Sequence, residues 1–323
     1  MKTVTIKHIS IGITLFATTL VSTAQEAQAE CGLRVATGPA NGVYTRLARD
    51  LQKVCGNVAS LCQVPSTGGL QNLIALSASE ADIGFAQLDL VQKMGKEGDE
   101  NIKELQAVAP MHVNLLHIVT QAAGSKIGGS GWISLRSETK VYRKFSDLKG
   151  AKVALVGSAQ LLGQSLEKQL GYGMQFVLAD TDEQAITQLN AGNVQAVFTT
   201  GGWPYPPIGK HASNSGLMLA EYDLAAPQPF AIVKRNYVNL GAHSLPFLAA
   251  PNLLVTRPFK PNGEKGKLVA ALQSCILNHL DELQEGSYHA VWKEIKNPTD
   301  TLGMSRYGKL LVPVAAGKSA GRS

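Results

Sequence analysis

Three consecutive units at the start of the chain each carry an apolar strand, a short polar turn and a helix. The strands are predicted at 33–38, 61–65 and 81–86, and the helices that follow at 43–53, 70–77 and 90–93. Apolar strands that alternate with helices are typical of βαβ units around a parallel sheet. The turns at the carboxyl ends of such strands collect at one edge of the sheet, where the following helices present free N–H groups.

The turns of these units offer hydrogen-bonding side chains and no nucleophile. Their polar residues are Thr37, Asn41, Ser66, Thr67, Gln87 and Asp89. The residues that begin the first two helices belong to the same edge: Gly42, Val43, Tyr44, Gly68 and Gly69. The two consecutive glycines allow a ligand to approach the backbone closely, because they carry no Cβ atom. We therefore predict that these residues bind a small polar molecule.

The same pattern returns in the middle of the chain. Strands are predicted at 149–156, 175–178 and 194–198, with helices at 161–170 and 182–191 between them. A chain of this length usually divides into two lobes, and the repeated pattern predicts two Rossmann-like lobes with a cleft between them. Ser158 and Gln160 lie in the turn after the first of these strands. They are expected to face the turns of the first lobe across the cleft.

Six segments of the sequence resemble one known family. They read ATGPANGVY at 36–44, STGGLQN at 66–72, EADIGFAQLD at 80–89, FSDLKGAKV at 145–153, AVFTTGGWP at 196–204 and PNLLVTR at 251–257. In this order and spacing they are similar to the TAXI family of TRAP-transporter solute-binding proteins. The resemblance implies a type II periplasmic-binding-protein fold, which is α/β with two Rossmann-like lobes, parallel-core sheets and a ligand cleft between the lobes. It also implies a TRAP-type membrane permease as partner and a small organic anion or amino acid as ligand.

The sequence departs from the family at two points. Family members commonly carry Gly-Ser-Gly-Thr in the turn of the second lobe, where this chain reads GSAQ at 157–160, so the ligand contacts on that side are expected to differ. The glycine-rich loop at 124–131 is longer than the family's usual link; it lacks the P-loop spacing and is interpreted as a flexible insertion or hairpin. The family's glycine-aromatic-proline turn lies near the cleft, which makes Trp203 and Tyr205 candidates to cover the ligand. Alternatively, both pack on the hinge side of the second lobe.

Residues 1–29 have the pattern of a secretory signal peptide. Lys2 and Lys7 precede an apolar run, and AQA at 27–29 provides a cleavage site, so cleavage is predicted after Ala29 with export to the periplasm. A membrane anchor is the alternative, but the run is shorter than the roughly 20 apolar residues that span a bilayer. The predicted division is signal peptide 1–29, first lobe 30–121, second lobe 122–247, and return to the first lobe with C-terminal helices and tail 248–323.

Four cysteines in an exported chain indicate disulfides. Cys55 and Cys62 flank a short turn and are predicted to pair, and Cys31 and Cys275 are candidates for a second bridge. The alternative is that all four are reduced. Their spacing is not that of a zinc site, since the sequence has no C-x-x-C pair.

Other function classes find little support. The net charge of +6 is mild and no basic run is present, so no nucleic-acid partner is expected. Ser165 and Lys168 match S-x-x-K, but they lie inside a predicted helix without a K-T-G or S-D-N partner. Asp82 and Asp89 are interpreted as a strand start and a helix cap rather than as a catalytic pair. No catalytic residue, cofactor or metal is predicted, and a monomer is expected. The alternatives are an ABC-type substrate-binding protein of the same fold, a sensory binding subunit and an exported hydrolase.

Overall fold

The computed structural model describes residues 31–127, 138–211 and 213–308. The predicted signal peptide, its cleavage site and the tail beyond residue 308 lie outside this part of the chain. None of the helices inside it is long and apolar enough to cross a membrane.

The first lobe opens with the three predicted strand–helix units, whose bounds differ from the predicted ones by a few residues. They are β1 (Leu33–Ala36), α1 (Val43–Cys55), β2 (Leu61–Val64), α2 (Gly69–Ser77), β3 (Ile83–Gln87) and α3 (Leu88–Lys96). β1 lies between β2 and β3 and is parallel to both. The short helix α4 (Glu100–Lys103) then leads into β4 (Gln106–Gln121).

The second lobe repeats the pattern after a short antiparallel strand pair, β5 (Ser125–Ile127) and β6 (Glu138–Lys140). Residues 128–131 of the predicted glycine-rich loop lie outside the described residues. The elements that follow are β7 (Lys152–Val156), α5 (Ala159–Leu170), β8 (Gln175–Ala179), α6 (Asp182–Asn190), β9 (Ala196–Gly201), α7 (Pro206–Gly209), β10 (Leu217–Leu219) and β11 (Ala231–Tyr237). β7 is parallel to both β8 and β9. Thr181 caps α6 by accepting a hydrogen bond from the Gln184 amide.

Two long strands are shared by the lobes. β12 (Ala242–Thr256) pairs with β11 through its first half and with β3 through its second half, while β4 pairs with both β12 and β9. The order of the main sheet is β2-β1-β3-β12-β4-β9-β7-β8. All pairs that β4 and β12 form are antiparallel, because the chain leaves the first lobe on one strand and returns on the other. The predicted α/β class with two lobes and parallel cores is confirmed, and an antiparallel pair joins the cores.

Apolar faces of the helices pack against the main sheet. Leu47 and Leu51 of α1 share a buried cluster with Leu272 of α8 (Glu264–Asn278) and with Trp292 of the 3-10 helix Ala290–Glu294. The predicted C-terminal helices begin with α8, and α9 (Leu280–Glu285) follows it after His279. Burial of such side chains stabilises each lobe by about 1.5–3 kcal/mol per large residue.

The predicted Cys55–Cys62 bridge and the candidate Cys31–Cys275 bridge are both wrong. Cys55 pairs with Cys275 and Cys31 with Cys62, at Cα–Cα distances of 5.9 and 5.8 Å. Cys55 belongs to the same buried cluster as Leu61, and Cys62 points to the other face because successive side chains of a strand alternate. On the buried face α8 brings Cys275 to Cys55. On the other side Cys62 meets Cys31, which lies just before β1, the parallel neighbour of β2.

Candidate ligand site between the lobes

Four helices begin without a side-chain cap at the edge where the two lobes meet. The residues before α1, α2, α3 and α5 are Gly42, Gly68, Gln87 and Ser158, and none of these described residues caps its helix with a side-chain hydrogen bond. The first N–H groups of a helix have no partner inside the helix. The Leu70 amide of α2 already donates to Ser158 Oγ, and the Asp89 and Leu90 amides of α3 face the Asp89 carboxyl. The other first N–H groups offer hydrogen-bond donors and a positive dipole end to an acceptor on a ligand.

Three of the predicted site residues meet directly across the cleft. Ser158 Oγ, from the second lobe, accepts a hydrogen bond from the Leu70 amide in the first turn of α2, at 3.2 Å. A Cβ atom on Gly69 would lie 3.3 Å from Ser158 Oγ and 3.5 Å from Gln87 Oε1. We call Gly69, Gln87 and Ser158 the interlobe site. Any residue larger than glycine at position 69 would fill the space between the lobes.

A buried hydrogen-bond network supports the interlobe site. The Tyr44 hydroxyl donates to Asn252 Oδ1 at 2.5 Å and accepts from Asn114 Nδ2 at 2.7 Å. The Asn114 amide also approaches Gln87 Oε1 at 3.4 Å, and its oxygen lies 3.1 Å from His112 Nε2. Tyr44 also stacks on Phe85, with ring centroids 5.1 Å apart. The network holds the Gln87 side chain in place through its Oε1 atom. It connects α1, β3, β4 and β12.

The network is electrically neutral. Burial lowers the pKa of His112 to about 3 and raises the pKa of Tyr44 far above its ordinary value, so both are uncharged at neutral pH. Gln87 is fully buried, yet its Nε2 atom has no hydrogen-bond partner among the described residues. A buried amide N–H without a partner costs free energy, and an acceptor on a ligand would remove that cost.

Asp89 is a charged group close to this amide. Burial raises its pKa to about 6, while its own backbone N–H, that of Leu90 and the Gln87 amide act in the opposite direction. The Gln87 amide is thus close enough to affect the Asp89 pKa without reaching hydrogen-bond geometry. Asp89 Oδ1 is buried and has no partner among the described residues. Gln87 Nε2 and Asp89 Oδ1 thus lie near each other at the start of α3, and neither makes a hydrogen bond of good geometry among the described residues.

Several other predicted residues are placed differently. Thr37 is buried and donates its hydroxyl to the Val64 carbonyl at 3.3 Å, and Ser66 donates to Asn72 Oδ1 at 2.6 Å. Asn41 and Thr67 are exposed, and Gln160 is partly exposed. Their role in binding stays a prediction.

Val43 begins α1, and Trp203 lies in the turn after β9, which packs close to the start of α1. A Cβ atom on Gly202 would lie 3.0 Å from Val43 Cγ2. The indole N–H of Trp203 donates to the Asn236 carbonyl at 3.0 Å. The Arg235 guanidinium carbon lies over the indole, 5.7 Å from the centroid of the Trp203 ring. No hydrogen bond among the described residues joins Trp203 to the interlobe site, and its predicted role as a ligand residue is untested.

Tyr205 packs inside the second lobe. Its ring stacks on His117 at 5.1 Å and its hydroxyl donates to Asp182 Oδ2 at 2.9 Å. Of the two alternatives for this residue, packing in the second lobe is the one that agrees with its contacts.

Sequence reasoning missed the network residues His112, Asn114 and Asn252 as parts of the site. A sequence signal for two of them exists, because His112 and Asn114 are polar residues two positions apart in a mostly apolar strand. Side chains at i and i+2 of a strand point to the same face, so the pair predicts a buried polar group on one side of β4. Asn252 gives no such local signal, since only the pairing of β12 with β3 brings it opposite Gln87.

The sequence matches no protein-family profile and no curated protein. Among solved structures, the chain resembles the GluR0 ligand-binding core in complex with L-glutamate (TM-score 0.49, 15% identity, 79% of this chain and 95% of that chain covered). It also resembles AbpA, an amino acid ABC transporter substrate-binding protein from Streptococcus pneumoniae bound to L-arginine (TM-score 0.47, 14% identity, 81% of this chain and 93% of that chain covered). A histidine kinase sensor domain with similarity to periplasmic binding proteins matches with a TM-score of 0.47 and 15% identity, over 85% of this chain and 97% of that chain.

Proposed function

We propose that the protein is an extracytoplasmic receptor that captures a small organic anion or amino acid between its lobes and delivers it to a membrane transporter. One observation carries the proposal: Gln87, fully buried at the meeting point of the lobes, has an amide N–H without a partner, and uncapped helix starts surround it. A carboxylate of the ligand would accept from these donors. An ammonium group of an amino acid would pair with the free oxygen of Asp89.

A hinge motion would open and close this site. Only backbone segments of β4 and β12 are needed to connect the two parallel cores, so a small change in these strands can move one core relative to the other. A ligand that contacts both lobes binds the closed state more tightly and shifts the population toward it. The receptor then presents a closed, loaded surface to its transporter.

The ligand is to be found by screening dicarboxylates and amino acids for thermal stabilisation, followed by titration calorimetry of each hit. Gln87→Leu keeps the approximate size of the side chain but removes its hydrogen bonds, so affinity should fall about ten- to a hundredfold. Gln71→Leu is the matched control, because Gln71 is exposed on α2 and should leave affinity unchanged. Equal affinity in wild type and Gln87→Leu would place the ligand elsewhere.

We propose a TRAP-type permease as the partner, on the resemblance of the six sequence segments to the TAXI family, and the periplasm as the location. The two disulfides are consistent with an oxidising compartment. Cross-linking in intact cells, followed by mass spectrometry of the captured membrane proteins, tests the partner. TRAP permease subunits would support the proposal, and an ABC permease with its nucleotide-binding subunit would replace it. Intact mass of the recovered protein tests cleavage after Ala29.

A further inference from the structure

The buried network beside the interlobe site has a fixed hydrogen-bond direction that begins at the backbone. Asn252 Nδ2 donates to the His112 carbonyl at 3.1 Å and lies 3.5 Å from the Ala250 carbonyl. Because a backbone carbonyl can only accept, the Asn252 amide cannot be turned the other way round. Its oxygen therefore faces the Tyr44 hydroxyl, 2.5 Å away, and the Tyr44 O–H must donate to it.

This direction passes on to Asn114. A tyrosine hydroxyl carries one proton, and Tyr44 donates it to Asn252, so the Tyr44 oxygen accepts from Asn114 Nδ2 at 2.7 Å. The oxygen of the Asn114 amide consequently faces His112 Nε2, at 3.1 Å. Since an amide oxygen only accepts, the neutral His112 ring carries its proton on Nε2, and His112 Nδ1 is the unprotonated nitrogen.

Gln87 is the last amide in the series. Its Oε1 atom lies 3.4 Å from Asn114 Nδ2 and accepts from the second N–H of that amide. Gln87 Nε2 is therefore directed away from the network, and it makes no hydrogen bond of good geometry among the described residues. Both side chains are buried, so the network and not solvent sets the orientation of the Gln87 amide. The interlobe site thus presents an N–H donor at this position and not a carbonyl oxygen.

We infer that Asn114 determines the specificity of the interlobe site: by holding Gln87 Oε1, it makes the site select a carboxylate over a carboxamide of the same shape. Asn114 is a positioning residue, since it acts through Gln87. A carboxylate accepts from the Gln87 N–H in a charge-assisted hydrogen bond, which is stronger than the neutral bond to a carboxamide. This inference rests on the proposed function, because it names the chemical group that the same site selects.

Two substitutions of Asn114 change the direction of the network in different ways. In Asn114→Asp a carboxylate that only accepts faces Gln87, so the Gln87 amide should turn, donate through Nε2 and present Oε1 to the ligand. Asn114→Leu removes both donors and adds no charge, so the Gln87 amide is free to turn but is not forced to. Selectivity for a carboxylate should fall in both variants, and more in Asn114→Asp.

The probes are two matched pairs, L-alanine with L-alaninamide and succinate with succinamide, measured by titration calorimetry. Wild type should bind the acid of each pair more tightly. The ratio of acid to amide affinity should fall about ten- to a hundredfold in Asn114→Asp and about two- to tenfold in Asn114→Leu. Partial unfolding lowers both affinities alike, and Asp89 is present in every variant, so a change in the ratio reports the orientation of the Gln87 amide.

Asn101→Asp is the control for an added carboxylate, because Asn101 is exposed on α4 and its substitution should leave the ratio unchanged. Equal losses of acid and amide binding in both Asn114 variants would overturn the inference. A fall in the ratio in Asn114→Asp alone would also overturn it, since the added charge would then repel the acid directly. Tighter binding of the amide by wild type would show that Gln87 presents its oxygen.

The protonation of His112 tests the direction of the network without any ligand. Long-range ¹H–¹⁵N spectra of protein labelled with ¹⁵N-histidine distinguish a proton on Nε2 from one on Nδ1. The signals of His112 are identified by their loss in His112→Gln. We expect a neutral ring with its proton on Nε2 at neutral pH. A proton on Nδ1, or a charged ring, would overturn the inference, because the Asn114 amide would then have to face the other way.

The two proposals fail separately. If Gln87→Leu weakens the binding of the acids while the acid-to-amide ratio is the same in wild type and both Asn114 variants, the receptor stands and the role of Asn114 is wrong. If Gln87→Leu has no effect on any bound solute, the proposed site itself is wrong.

Discussion

The carboxyl group of Asp89 carries a cost in the unliganded protein. Burial raises the pKa of Asp89 from 3.8 to about 6. Between pH 3.8 and pH 6 the carboxyl group is therefore mostly protonated in the folded protein and mostly ionised in the unfolded chain. The ionised group therefore destabilises the fold above the folded pKa, and this cost disappears as the pH falls toward 3.8. Tyr44 from α1 is neutral, and Lys93 on α3 is paired with Glu97, so neither cancels the effect.

Asp89→Asn should consequently stabilise the unliganded protein at neutral pH by about 1–3 kcal/mol, with no gain below the unfolded pKa. Chemical denaturation at several pH values measures this difference. Asp281→Asn, at an exposed position on α9, serves as control and should leave the pH dependence unchanged. The same substitution at Asp89 should weaken the binding of amino acids, because their ammonium group loses its partner. An unaltered pH profile in Asp89→Asn would show that the carboxyl is well solvated.

Tyr44 carries a second prediction at the scale of one atom. Tyr44→Phe removes the hydroxyl that joins Asn114 to Asn252, and both amides stay buried. The free energy of unfolding should fall by about 1–3 kcal/mol, since a buried acceptor loses its donor. Denaturant titration measures the change, and Tyr288→Phe is the control, because that hydroxyl meets the exposed Glu282. No loss in Tyr44→Phe would mean that water replaces the hydroxyl.

Among the elements, the disulfides fix helices to their neighbours over very different distances in sequence. Cys55–Cys275 joins residues 220 positions apart and ties α1 to α8, whereas Cys31–Cys62 spans 31 positions. In the chain-entropy account the longer loop contributes about 5 kcal/mol and the shorter about 4. The double variant Cys55→Ala/Cys275→Ala should therefore lower Tm more than Cys31→Ala/Cys62→Ala. Peptide mapping of the unreduced protein checks the pairing itself, and a Cys55–Cys62 peptide would contradict the structure.

Elements were predictable where one local pattern decides them. The three strand–helix units follow from apolar periodicity, and α6 begins where Thr181 can cap it. The cysteine pairing was not predictable in this way, because the direction of Cys55 depends on where α8 packs, more than two hundred residues later. Likewise, the turns indicated Gln87 and Ser158 as polar, but their meeting across the cleft depends on β4 and β12, whose pairing is non-local. Local sequence thus predicts the elements, and long-range packing decides which of their residues meet.

At the scale of the whole molecule, three polar contacts join the lobes in the described structure. Ser158 accepts from the Leu70 amide, Lys93 reaches Ser165, and Arg235 of β11 pairs with Glu294 at 2.8 Å. Glu294 also accepts from the Val113 amide of β4, so this pair lies beside a strand that both lobes share. The contacts are few and partly exposed, and each contributes little free energy to the stability of the closed arrangement. The closed arrangement is therefore expected to open readily in solution, which a receptor needs for loading and release.

A wedge at the interlobe site tests this expectation. Gly69→Val would place two methyl groups where a single Cβ already lies 3.3 Å from Ser158 Oγ, so the lobes should be held apart. The nearest core atom, Leu90 Cδ1, is 3.7 Å from this Cβ, which is ordinary van der Waals distance, so Tm should change little. The radius of gyration from small-angle X-ray scattering should increase, and affinity for any solute should fall. Gly209→Val is the control, since the nearest atom to its Cβ is 4.0 Å away on Tyr237 and the position is remote from the cleft. If Gly69→Val bound its solute as tightly as wild type and scattered identically, closure around Gly69, Gln87 and Ser158 could not be the binding step.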